Sequence, residues 1–295
     1  MASMNLKEKE AIRDLLREYV SRFSSQNKAT ASLNGISAGT VSQILNSKFE
    51  NISDEMFRGL WAQVSVGKSN DDWKIVEIPV FKDVYFALTN AQEQSDVTWV
   101  IAPAGSGKTV AAQNYIREHR NVYYLLCDED MKKGDFVREL AQAIGIKVSR
   151  GKRIREILML IISELSEQDS PLLIFDEGDK LSDNVLYYFI TLYNRLKDKA
   201  GIVFLSTSYM QRRMHTGIQY DKKGYQEIES RIGRKFYQAE PVTANDIYAI
   251  AKANGVNDDK TLSLIIKDAE TCKFDLRRVY KKVNAENRKS NGKVK

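Results

Sequence analysis

The chain has 295 residues, 43% of them apolar and only 4 of them proline, enough for a sizeable core and two or three ordered, helix-rich domains. A net charge of +6 suits a polyanionic partner, while two histidines (His119, His215) and two distant cysteines (Cys127, Cys272) argue against a His-based zinc or nucleophilic centre and fit a reducing compartment. With no signal peptide and no apolar run of about 18 residues, the expectation is a soluble cytoplasmic protein of a bacterial or phage-infected cell, without a membrane partner.

At the amino terminus, Ile12, Leu15, Leu16, Tyr19, Val20 and Phe23 repeat at helical spacing and predict an amphipathic helix. Ala31 and Gly35 then stand four apart, among the apolar Ile36, Val41 and Ile44. That spacing resembles the helix-turn-helix of phage repressor-like domains. The small Ala lets two helices cross closely, Gly35 makes the turn, and Ser37 caps a second helix from about Ala38 to Asn46. Thr40, Gln43 and Asn46 would then face a DNA groove. The alternative is a three-helix packing module that binds protein or nothing. Val64 to Asp72 is polar and reads as a linker, which closes an all-α domain over residues 1–68.

The segment Phe81 to Gln94 is predicted helical and leads into Val97 to Ile101, a β-branched and aromatic run that reads as a buried parallel strand. Pro103, Ala104, Gly105, Ser106, Gly107, Lys108 and Thr109 follow, and the stretch to Arg120 is helix-forming. Strand, Gly-rich turn, Lys-Thr and helix is the context of a phosphate-binding loop. Glycines let backbone N–H groups turn inward on a phosphate, and the helix N-terminus adds its positive dipole. Lys108 would reach the β- and γ-phosphates of ATP, and the Thr109 hydroxyl would ligate Mg²⁺. Ala102 occupies the place of the first Gly in that pattern.

Asn121 to Cys127 reads as a second strand, and helices follow at about Asp135 to Ile144 and Ile154 to Ser166. Between them lie Lys147, Arg150, Lys152, Arg153 and Arg155, which can sit on phosphates or form an exposed basic loop without a partner. Leu172 to Phe175 is an apolar run that ends in Asp176 and Glu177. Asp176 can hold the Mg²⁺ shell, and Glu177 can orient and deprotonate a water. Val185, Phe189, Leu192 and Leu196 mark another helix, and Gly201 to Ser208 another strand. A polar helix closes over Glu229 to Arg234 before a short strand, Lys235 to Ala239. Thr243 caps the first of the final helices, and from Lys273 onward nine Lys/Arg face two Asp/Glu. Alternating strands and helices over 69–240 and a purely helical 241–295 predict an α/β core with a helical lid and a basic tail.

Together these residues resemble the AAA+ ATPases, and among them the Mu B-type transposition proteins of phages with their insertion-sequence helper relatives. The family pattern Asp-Glu-Ala-Asp-His-Leu stands here as Asp176-Glu-Gly-Asp-Lys-Leu181. The resemblance implies that Thr207 is the polar sensor of the γ-phosphate, where the family commonly has Asn. It further implies that Arg231, or failing it Arg234, is an arginine finger reaching the neighbouring subunit, and that Arg277 is the lid sensor, without the Gly usually found a few residues earlier. The implied function is an ATP hydrolase that binds double-stranded DNA without sequence preference, forms filaments on it as a homo-oligomer and activates a transposase. Lys132 and Lys133 would join the basic loop in facing the DNA. Two other functions remain open at this level: an ATP-switched helix-turn-helix transcriptional regulator, and a helicase-loader ATPase whose client is protein.

Overall fold

The structure, a computed structural model, describes residues 4–65, 73–149 and 151–292, with side chains to residue 289. Four short helices open the chain: α1 (Leu6–Ser21), α2 (Gln26–Ser32), α3 (Ala38–Leu45) and α4 (Asp54–Val64). Each begins at an Asn or Ser whose side chain accepts a hydrogen bond from a backbone N–H of the first turn, and Ser37 does so for α3. Gly35 makes the turn between α2 and α3 at φ +70°. Ile12, Leu16, Val41, Ile44, Phe57 and Leu60 bury a core of their own. Phe23 departs from its expected place, because α1 ends at Ser21 and Phe23 packs outside this core, 6.4 Å from the ring of Tyr123. Most of the expected linker (66–72) lies outside the described residues, and Val64 belongs to α4.

The central unit alternates strands with helices: α5 (Pro79–Gln94), β1 (Val97–Ile101), α6 (Lys108–Glu118), β2 (Val122–Leu126), α7 (Lys133–Ile144), α8 (Ile154–Ser166) and β3 (Leu172–Asp176). A 3₁₀ turn at Gly178–Lys180 leads to α9 (Asp183–Leu196), β4 (Gly201–Ser206), α10 (Tyr209–Gln219), α11 (Tyr225–Arg231) and β5 (Tyr237–Gln238). The strands form one parallel sheet in the order β2-β3-β4-β1-β5. Successive side chains of a strand point to opposite faces, and here both faces are covered, so β3 and β4 are buried throughout. Phe204 stacks between Trp99 and Phe175 on one face with α7, α8 and α9, its ring centroid 4.2 Å from Trp99 and 5.0 Å from Phe175. Val100, Ile174, Val203 and Leu205 fill the other face with α5 and α6. Burying one such side chain stabilises by about 1.5–3 kcal/mol.

The last three helices, α12 (Ala244–Ala253), α13 (Asp259–Thr271) and α14 (Leu276–Gly292), add Ile247, Ile250, Leu262 and Val279 to that second face. Two boundaries differ from expectation. The helix before β5 ends at Arg231, and Arg234 lies beyond it in left-handed backbone at φ +57°. The strand itself is reduced to Tyr237–Gln238, since only those residues pair with β1. No helix among the described residues is long and apolar enough to cross a membrane.

Candidate nucleotide site and basic surface

A cavity of 1040 Å³ opens at the carboxyl ends of the parallel strands, where such sheets bind their ligands. Its floor is the turn between β1 and α6. Ala102 is buried there and donates its N–H to the carbonyl of Ser206, which anchors the turn to β4. Gly105 and Gly107 take φ values of +71° and +99°, a region that residues with a Cβ rarely enter. At Gly107 no side chain caps α6, so its first N–H groups remain open to an anion. The Ser106 hydroxyl is buried without a partner among the described residues. Such an orphan is expected where a ligand supplies the missing hydrogen bond.

Lys108 stands at the start of α6 with its ammonium on the carbonyls of Ala102 (3.0 Å) and Pro103 (2.9 Å). Burial lowers its pKa, while the charges of Asp176 and Asp179 work in the opposite direction. Thr109 Oγ1 donates to Asp176 Oδ2 at 2.6 Å, so the two expected Mg²⁺ ligands are already side by side. Asp176 is buried, and it also accepts from the Tyr124 hydroxyl (2.9 Å) and the Glu177 N–H (2.9 Å). A carboxylate, a hydroxyl and room for phosphate oxygens suit Mg²⁺, which binds through few protein ligands and keeps several waters. Glu177 follows at φ +55°, and its carboxylate pairs with Lys180. Thr207, at the end of β4, donates to Asp179 at 2.7 Å and faces the same cavity.

The opposite wall is apolar. Trp73, Val76 and Ile78 precede α5, and Ile250, Leu276 and Tyr280 come from the last helices. The Trp73 and Tyr280 rings meet edge-on at 4.8 Å, and the Asn254 side chain clamps the backbone of Lys74 through both its N–H and its carbonyl. Arg277 lines the cavity with its side chain exposed, close enough for its charge to act on Lys108. Leu276 N–H donates to the Gly105 carbonyl at 2.9 Å, and the Asp275 carboxylate lies where a Cβ on Gly105 would be.

Arg231 is elsewhere. Its guanidinium bonds Asn194 Oδ1 and the Glu227 carbonyl, lies 5.5 Å from the Tyr193 ring, and is absent from the cavity of its own chain. Arg234 is exposed nearby.

Arg213 had no signal in the sequence, yet it holds the turn behind Glu177. Its Nη1 donates to the carbonyls of Asp179 (3.1 Å) and Leu181 (2.8 Å), its Nε to Tyr225 Oη (2.9 Å), and its Nη2 to Asp183. Burial opposes ionisation of Asp183, but hydrogen bonds from Lys222, Arg213 and Tyr225 outweigh it and hold the carboxyl at about 2. Arg213→Ala is therefore expected to lower stability by about 2–3 kcal/mol. It should also slow ATP turnover at least about tenfold while nucleotide affinity changes less. Thermal denaturation, a nucleotide titration and steady-state rates separate these effects, and wild-type turnover would show that the turn holds without Arg213.

The basic candidates gather at another end of the core. Gly134, one residue into α7, lies against the Ile154 side chain at the start of α8, so the two helix starts pack together. Lys132, Lys133, Lys147, Arg153 and Arg155 are exposed, Lys152 is half-buried, and Arg150 lies outside the described residues. Gln43 on α3 and Asn46 just past its end are exposed, but the Thr40 hydroxyl is shared with Ser37 at 2.9 Å, so the cap already occupies it.

Residues 91–214 match the family model described as an AAA domain. Two proteins are similar over most of their length. The ATP-dependent target DNA activator B of Escherichia phage Mu is 26% identical over 264 residues, 88% of this chain and 82% of that protein. The Mu-like prophage FluMu DNA transposition protein B of Haemophilus influenzae is 25% identical over 267 residues, 87% of this chain and 90% of that protein. In fold, the chain is similar to Cdc6p of Pyrobaculum aerophilum, with a TM-score of 0.50 at 18% identity over 68% of this chain and 57% of that one.

Proposed function

We propose that the chain, whose residues 91–214 match the AAA domain, uses ATP and Mg²⁺ to assemble as a homo-oligomer on double-stranded DNA of any sequence and to present that DNA to a transposase. The observation that carries this reading is the similarity to target DNA activator B, which covers 88% of the chain. The basic residues at the starts of α7 and α8 supply phosphate contacts without a reading head for bases. Each subunit adds a modest patch, and an array of subunits multiplies it into a long contact. The work would be done in the cytoplasm, where phage or element DNA is mobilised.

In this reading the N–H groups of Gly105 to Thr109 and the Lys108 ammonium grip the phosphates, and Thr109 and Asp176 hold the metal. Mg²⁺ would neutralise charge developing on the phosphate oxygens. Glu177 takes the proton of the attacking water once it leaves Lys180, and Thr207 positions the γ-phosphate end through its bond with Asp179. Arg277 closes over the phosphates from α14, and Arg231 serves the neighbouring subunit's nucleotide.

Electron microscopy of the protein with ATP and random-sequence duplex should show continuous coating, and protection of one site only would instead favour a transcriptional regulator. The triple variant Lys152→Ala, Arg153→Ala, Arg155→Ala should weaken binding to all duplexes alike. It should also flatten the slope of log affinity against log salt by roughly 0.9 per lost phosphate contact. An unchanged slope would remove this loop from the DNA surface.

A further inference from the structure

The amino-terminal helices meet the core along α7 and leave a groove of 660 Å³ between them. One wall is the end of α2 and its turn, with Leu33 and Asn34, and the other is α7 and the loop after it, with Arg138, Gln142, Lys147 and Ser149. Among the described residues, no carboxylate lines it. Arg138 and Lys147 are both exposed; Arg138 spends one N–H on the Gly134 carbonyl, and Lys147 has no ion-pair partner among the described residues.

The walls are fixed. Gln142 Nε2 donates to Asn34 Oδ1 at 2.7 Å, and Gln63 takes both backbone groups of Asn34, at 2.6 and 3.0 Å. Lys28 pairs with Glu164, and its carbonyl lies 2.4 Å from where a Cβ on Gly145 would be, so only glycine lets the two units approach this closely. With Asn34 Oδ1 already accepting, its amide N–H groups are left as donors beside two cations. A preformed groove with cations, amide donors and no carboxylate is complementary to a phosphodiester backbone.

We propose that this groove is a second phosphate-binding site, in which Arg138, Lys147 and Asn34 hold the backbone of the duplex that the α7–α8 basic residues contact. The amino-terminal helices and the ATPase core then grip one DNA molecule as a single surface. This rests on the DNA-binding reading above. Gln142 is a positioning residue, because it orients Asn34 and keeps the groove open.

The test uses the full chain with ATP and a random-sequence, fluorophore-labelled duplex across a salt series. Arg138→Ala should weaken binding about three- to tenfold and reduce the salt slope by roughly 0.9, whereas Arg138→Lys keeps the charge and should keep the slope. In addition, Asn34→Cys should cross-link to a duplex carrying a thiol-reactive group on its phosphates, and excess unlabelled duplex should suppress that product. If Arg138→Ala leaves the slope unchanged while the Lys152, Arg153 and Arg155 variant lowers it, the groove is not on the DNA path and the DNA reading survives. If neither set moves the slope, both ideas fail together. Melting temperatures within about 2 °C of wild type confirm that each variant is folded.

Discussion

Replacing Lys108 with alanine is expected to weaken ATP binding about 100-fold or more, on the order of 3 kcal/mol, and to abolish ATP-dependent DNA binding in a folded protein. The turn supplies neutral N–H donors and an uncapped helix end, and Lys108 is the cation set among them. Its ammonium bonds the Ala102 and Pro103 carbonyls, neutral acceptors that the charged oxygens of a triphosphate would outcompete. Titration with a fluorescent ATP analogue measures the loss, and wild-type affinity would show that the backbone alone holds the phosphates. The same variant tests Arg231. Mixed with an Arg231→Ala protein, which keeps its own phosphate loop, Lys108→Ala should regain part of the ATPase rate. One interface of the mixture pairs an intact arginine with an intact loop. If the mixture stays inactive although each variant assembles with wild type, Arg231 does not act between subunits.

Glu177→Gln should separate binding from turnover. The substitution leaves the Thr109–Asp176 pair and the glycine turn in place and removes the group that accepts the water's proton. Turnover should fall by about 10²–10⁴-fold while ATP affinity holds, and complexes with DNA should outlive those of the wild type. The ion pair with Lys180 sharpens the expectation, because the glutamine also loses the charge that parks the side chain against that lysine. Parental turnover would mean that another group activates the water.

The floor of the cavity was readable from the sequence because its parts are contiguous. Strand, glycines, Lys108 and Thr109 occupy one stretch, and Asp176 and Glu177 end another. The structure adds the 2.6 Å contact that joins them. Residues that reach the site through pairing register left no such signal. Tyr124 meets Asp176 because β2 and β3 run parallel side by side, and its hydroxyl is one among the 14 tyrosines of the chain. Trp73 and Val76 become a wall only through their contact with the last helices, which lie some 180 residues further on. Arg213 looked like a polar helix position, and its hold on the Glu177 turn through the Asp179 and Leu181 carbonyls depends on how α10 packs. Fold class was likewise legible, since strands too apolar for one-sided burial had to lie inside a covered parallel sheet. Helix ends were less so: the helix stops at Arg231, and Gly233 and Arg234 follow in left-handed backbone where the composition would have carried the helix on.

The Leu276 N–H on the Gly105 carbonyl makes the last helices and the phosphate loop two ends of one equilibrium. Whatever nucleotide does to the orientation of α14, a ligand that fixes α14 must do to nucleotide affinity, by the same factor. DNA or a protein that touches the basic face of that helix would thus tune ATP binding without entering the cavity. A factor of ten in either direction corresponds to about 1.4 kcal/mol of coupling, within reach of a single hydrogen bond gained or lost at Gly105.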